Sequence, residues 1–107
     1  MSIKDVDCGT LVGWLSEGKA VLVDVREPGE HARERIASAH HVPLSSFNPD
    51  NLPDHTGKIV VYHCASGMRT SRFGAHLTQS VPAANDVFHL RGGIAAWVNA
   101  GHHTDVS

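Results

Sequence analysis

The sequence predicts an α/β domain with a mostly parallel central sheet and helices on both faces. Three observations carry this expectation. Short β-branched runs, AVLVDV at 20–25, KIVVYHC at 58–64 and DVFHL at 86–90, recur along the chain, and continuous apolar runs of this length suit strands buried on both sides. Between them lie segments whose apolar residues repeat at helical spacing, and such alternation builds parallel βαβ units. The chain has 107 residues and is 41% hydrophobic, so residues 1–107 suit one compact domain around a single core.

Asp7 or Thr10 caps a first helix carrying Leu11, Val12, Trp14 and Leu15, and Gly18 ends it. AVLVDV follows as a buried strand with Asp24 and Arg26 at its carboxyl end. Pro28, which has no amide hydrogen, suits the first turn of a helix over EPGEHARERI, with Glu27 and Glu30 at its positive end. HHVPLSSF contains Pro43 and is at most a brief edge strand, and NPDNLPDHTG, 48–57, is a loop of turn residues. KIVVYHC is the strongest strand signal and delivers Cys64 to its end. SGM makes a turn, a helix runs from about Thr70 through Phe73, Ala75 and Leu77, and Pro82 stops it. After DVFHL, an RGG turn leads into the short amphipathic segment IAAWVNA, Gly101 and a polar tail.

The net charge of -2 gives no electrostatic footprint for nucleic acid or an anionic membrane surface. No apolar run approaches the roughly 20 residues of a membrane helix and the start has no leader pattern, so a cytoplasmic location is expected. Cys8 and Cys64 read as reduced thiols. Cys8 has no partner motif around it. The nine histidines show no ligand spacing: His40 and His41 point to opposite faces of a strand, and His102 and His103 lie in the tail. No metal is expected.

The chemistry concentrates in CASGMRT, residues 64–70. Sites in parallel sheets form beyond the carboxyl ends of strands, where this loop falls. A thiol becomes a nucleophile as thiolate, favoured by positive charge and helix N-termini. Backbone N–H groups of the loop can surround the sulfur as an anion nest, Gly67 permits the tight backbone, and Arg69 offers a planar fork of donors. Thr70 caps the following helix or donates to an anion. Such a loop can attack phosphorus or the outer sulfur of a sulfane donor. Ser71 and Arg72 enlarge the anion site or are solvated, and His63, beside the cysteine, reads as structural.

These residues resemble the rhodanese family of sulfurtransferases in its single-domain form. The resemblance rests on CASGMRT together with VLVDVREPGEH at 21–31, the AxxVPL element at 39–44 and VFHLRGGIAAWVNAG at 87–101, in the family's order and over most of the chain. It implies the three-layer rhodanese-like fold. It also implies that Cys64 takes a sulfane sulfur from a donor such as thiosulfate and passes the persulfide sulfur to a thiol or cyanide, with a protein acceptor also in range and no cofactor. Family sulfurtransferases have four residues between Cys and Arg, here Ala65, Ser66, Gly67 and Met68, whereas related phosphatases and arsenate reductases have five. A non-catalytic persulfide relay or protein-binding module is a second reading, and a phosphatase or arsenate reductase, which the short loop argues against, is a third. The loop amides of residues 65 to 69 would stabilise the persulfide, and Arg69 would shape the loop and bind the donor. Asp24 and Arg26 match the family's D-x-R, with Arg26 expected to pair with Glu30 as support. Gly92, Gly93 and Trp97 match its L-x-G-G turn and last-helix tryptophan, as packing. The chain departs from the family pattern at Arg35, where a histidine is common, at His31, commonly aromatic, and at Met68, commonly charged or small and polar.

Overall fold

A computed structural model describes residues 3–107. In chain order the elements are β1 (Lys4–Val6), α1 (Cys8–Ser16), β2 (Ala20–Asp24), α2 (Pro28–Arg33), β3 (Glu34–Arg35), β4 (Ala39–His41), two single 3-10 turns at Leu44–Ser46 and Pro49–Asn51, β5 (Ile59–His63), α3 (Met68–Arg72), α4 (Gly74–Gln79), β6 (Asp86–Leu90), α5 (Gly93–Asn99) and β7 (Asp105–Val106). Five strands form one parallel sheet in the order β1-β6-β5-β2-β4.

Strand side chains alternate between faces, which divides the core in two. Leu22, Val61 and Leu90 face Leu11 of α1 and Ile94 and Trp97 of α5. Val23, Val60 and Tyr62 face the other way, toward Leu77 of α4 and Val81 beyond it. The three-layer α/β architecture is therefore as the sequence implies. Cys8 belongs to the first cluster and Cys64 to the second, so the sheet separates the two free thiols.

Asp7 is the helix cap: its Oδ1 accepts from Thr10 N at 2.7 Å. Helix α2 opens with a capping box in which Glu27 N donates to Glu30 Oε1 at 3.0 Å. It is shorter than expected, because Glu34 and Arg35 leave it to pair antiparallel with β7. The polar tail is thus a strand partner, and Arg35 donates to Ser107 Oγ at 3.2 Å and to helix carbonyls. The edge strand β4 lies at the start of the predicted segment. The helix expected from Thr70 begins at Met68 and is broken at Phe73, where Gly74 passes against Ile3. A Cβ on Gly74 would lie 2.8 Å from Ile3 Cγ2.

Candidate active site

The β5 strand ends at His63, and the chain turns sharply to place Cys64 beneath the start of α3. Gly67 makes that turn with φ +93°, in the left-handed region, and this aims its amide inward: Gly67 N donates to Cys64 Sγ at 3.1 Å. Thr70 Oγ1 lies 3.7 Å from the same sulfur. Cys64 is 0% exposed. Burial alone would push the thiol pKa up, but hydrogen bonds from Thr70, Gly67 and Ser66 outweigh it and bring the group below its ordinary value. The loop therefore favours thiolate.

Arg69 lies across from α2. Its Nη1 and Nη2 donate to Glu30 Oε1 and Oε2 at 2.7 and 2.8 Å, a two-point pair between α3 and α2. The Arg69 pair, with the amide bond of the capping box, holds the Glu30 carboxyl at about 2, against burial acting the other way. The expected partnership of Arg26 with Glu30 is corrected here. Arg26 turns back on its own strand, with Nε 3.0 and 3.1 Å and Nη2 2.7 Å from the Asp24 carboxylate, and reaches Glu30 only at its backbone carbonyl. Asp24 sits two residues away at the strand end and reaches the fork first, leaving Glu30 free to face Arg69.

The RGG turn supports the loop from below. Ile94 N and Ala95 N, at the start of α5, donate to Cys64 O and Ala65 O at 3.0 and 3.1 Å, so helix amides without helical partners are used to hold the Cys64 loop. Gly93 makes this possible at φ +62°; a Cβ there would lie 2.5 Å from Cys64 O and 2.6 Å from Ala65 C and O. Gly93→Ala should cost about 2 kcal/mol or more, through overpacking against backbone and a left-handed φ. A urea midpoint measurement checks it, and thiolate reactivity at Cys64 should fall in parallel.

Of the residues singled out in the sequence, the structure brings together Cys64, Ala65, Ser66, Gly67, Arg69, Thr70 and Glu30. Met68 lies on the rim, 77% exposed. Asp24 and Arg26 form a buried base behind the loop. Arg35 and Cys8 stand apart, and burial and the charge of Asp7 push the Cys8 thiol up. The sequence reading missed His89, which reaches Thr70 from β6; its place on the α3-facing side of the strand was the one available signal. His31 stacks on His41 with centroids 4.1 Å apart. Among the described residues no cluster of His, Cys, Asp and Glu is arranged to hold a metal, and no helix is long and apolar enough to cross a membrane.

A family model described as the rhodanese-like domain matches residues 8–100. The chain belongs to this family. This rhodanese-like domain is 33% identical over 102 residues to a sulfurtransferase from Allochromatium vinosum, covering 92% of each chain. It is 38% identical over 92 residues to an uncharacterized protein from Synechocystis, covering 86% of this chain and 50% of the relative, so it spans half of that protein's length. A solved structure of a rhodanese-related protein from Thermoplasma volcanium superposes with a TM-score of 0.79 at 23% identity, covering 97% of this chain and 99% of the other, which shows a shared fold. The family is one of sulfurtransferases.

Proposed function

We propose that residues 1–107 act as one sulfurtransferase domain in which Cys64 carries the sulfur. The observation that supports this most is the buried Cys64 Sγ held by Gly67 N at 3.1 Å, inside a loop with only four residues between cysteine and arginine. A ring this tight suits one transferred sulfur atom, where a phosphoryl group would bring three peripheral oxygens. The Cys64 thiolate attacks the outer sulfur of a sulfane donor such as thiosulfate. A Cys64 Sγ–S bond forms, the donor S–S bond breaks, and its electron pair leaves with sulfite. An acceptor nucleophile, a thiol or cyanide, then attacks the outer persulfide sulfur, and Cys64 leaves as thiolate. The amides of Ser66 and Gly67 and the hydroxyl of Thr70 hold the negative charge at both stages. Two-step exchange through a covalent intermediate gives ping-pong kinetics. Two free thiols accord with a reducing cytoplasmic setting.

The test is intact mass after incubation with thiosulfate. A gain of one sulfur atom that is lost on adding cyanide, with thiocyanate appearing, is expected; no gain with Cys64 free and reduced would remove thiosulfate as donor. A second reading, relay to a protein acceptor, is favoured by Met68 and Phe73, 77% and 42% exposed beside the loop. It predicts ready persulfide formation but slow turnover with every small acceptor.

Glu30 occupies both terminal nitrogens of Arg69, so an oxyanionic donor gains that fork only by displacing a carboxylate. Glu30→Gln should lower the KM for thiosulfate several-fold, which steady-state kinetics would show. The same pair has an acid signature. With a folded value of about 2 against an ordinary 4.5, Glu30 contributes stability that is full above pH 4.5 and lost as pH falls toward 2. The pair is part-exposed and screened, so the loss is about 1 kcal/mol at most, and Glu30→Gln should flatten that part of the stability profile.

A further inference from the structure

Thr70 stands between Cys64 and a histidine of another element. Its side chain is fully buried, with Oγ1 3.7 Å from Cys64 Sγ, 2.7 Å from His89 Nδ1 and 3.2 Å from the Gly67 carbonyl. A hydroxyl has one hydrogen, so the three neighbours compete for it. The contact to His89 is the shortest, and which nitrogen of a neutral imidazole carries hydrogen is set by its partners. With Nδ1 bare, Thr70 donates to His89 and turns a lone pair toward the sulfur, which suits a thiol. With hydrogen on Nδ1, Thr70 accepts from His89 and its own hydrogen is free for the sulfur, which suits a thiolate.

The far side of the ring is open. Nε2 has no hydrogen-bond partner among the described residues and is not sealed from solvent. The ring borders a cleft of about 530 Å³ shared with Asp5, Ser66, Met68, Arg72 and Arg91. Cys64 itself is 0% exposed.

We propose that His89 is a positioning residue for the Cys64 thiolate, which turns the Thr70 hydroxyl onto the sulfur by exchanging its ring hydrogen from Nε2 to Nδ1. The protons balance. Cys64 Sγ–H passes its hydrogen to Thr70 Oγ1, the Thr70 hydroxyl hydrogen passes to His89 Nδ1, and Nε2 releases its hydrogen to water in the cleft. One proton leaves the thiol and one reaches solvent, the ring being neutral before and after. Burial holds the imidazole below its ordinary value, against a weaker pull from Asp5, so the neutral ring is the working form. The groups facing it are Asp5 of β1, its register partner, which is paired with Arg91; Tyr62 of β5, whose hydroxyl is held by the Leu77 carbonyl; and Arg72 of α3 across the cleft.

The inference rests on Cys64 acting as a thiolate, and its test reads the thiol rather than sulfur transfer, so the two can fail separately. Ring 15N shifts of His89 in the wild-type chain distinguish the tautomers. As pH rises through the Cys64 midpoint, followed by iodoacetamide uptake at the Cys64 peptide, Nδ1 should change from acceptor to N–H character. The change should be absent in Cys64→Ser and in Thr70→Val. His89→Leu should raise the Cys64 midpoint by roughly one pH unit, the scale of one hydrogen bond to a charged group, and should add no shift in a Thr70→Val background. The proposal is overturned by a ring that keeps one tautomer throughout, by the same tautomer change in Thr70→Val, or by a His89→Leu shift that is nil or equal in both backgrounds.

Discussion

Cys64→Ser should yield a folded domain that takes up no sulfur from thiosulfate, with thiocyanate production falling by at least about a thousandfold, to background. A serine oxygen is not ionised near neutral pH by a few loop amides, and it forms no persulfide. The fold should hardly register the change. Serine is close in size, and its hydroxyl can accept from Gly67 N as the sulfur does at 3.1 Å, so the stability change should stay within about 1 kcal/mol. Cys8→Ser is the comparison. Cys8 is buried in the cluster on the opposite side of the sheet, so this variant should keep sulfur uptake and lose only some stability. Intact mass and a urea titration on both variants separate the two effects. Sulfur uptake that survived in Cys64→Ser and vanished in Cys8→Ser would move the carrier to Cys8 and end the proposed mechanism.

What could be read from the chain and what could not divides along a physical line. The buried strands β2, β5 and β6 were legible because burial on both faces demands continuous apolar runs. The sharp turn after β5 was legible because a glycine there permits the left-handed backbone that Gly67 adopts at φ +93°. The strand β1 was not. Lys4-Asp5-Val6 buries only its valine, and its strand state comes from pairing with β6 and from Lys4 reaching Asp86 at 2.6 Å. The β3 and β7 pair, two residues each, is likewise made by partners about 70 positions apart. The partner of Arg26 was misassigned because helical spacing brings Glu30 within reach in sequence, while the strand-end geometry brings Asp24 closer. The link from Thr70 to His89 depends on two elements meeting across the sheet face, which no local pattern reports.

Arg26→Met should be the most destabilising single change in the site's foundation, at about 3–5 kcal/mol near neutral pH. Asp24 is 0% exposed and Arg26 4% exposed. Burial alone would raise the Asp24 pKa, yet the Arg26 bonds bring it below its ordinary value of 3.8. The guanidinium also ties the strand end to the chain beyond α2, donating to the Glu34 carbonyl at 2.7 Å. With methionine in its place, the carboxylate keeps the amide of residue 26, which donates to Oδ1 at 2.9 Å in the native chain. Its other near neighbour is His63 Nε2, 3.6 Å away, a buried nitrogen with no hydrogen-bond partner. Burial pushes that imidazole below its ordinary value, against the pull of Asp24, so near neutral pH it does not replace the lost charge. The pH dependence then changes sign. In the native chain, Asp24 contributes stability that is present above pH 3.8 and fades as pH falls through its lower folded value. In Arg26→Met the folded value rises above the unfolded one, so the charged carboxylate opposes folding, and the deficit against wild type should narrow as pH falls. Urea midpoints at pH 7 and pH 5 measure this directly. Adding Asp24→Asn to Arg26→Met should recover part of the loss, because an amide can be buried at far lower cost than an unpaired charge. A deficit that stays constant with pH and is not relieved by Asp24→Asn would mean that Arg26 acts through packing and its carbonyl bonds, and that the charge pair behind Cys64 contributes little.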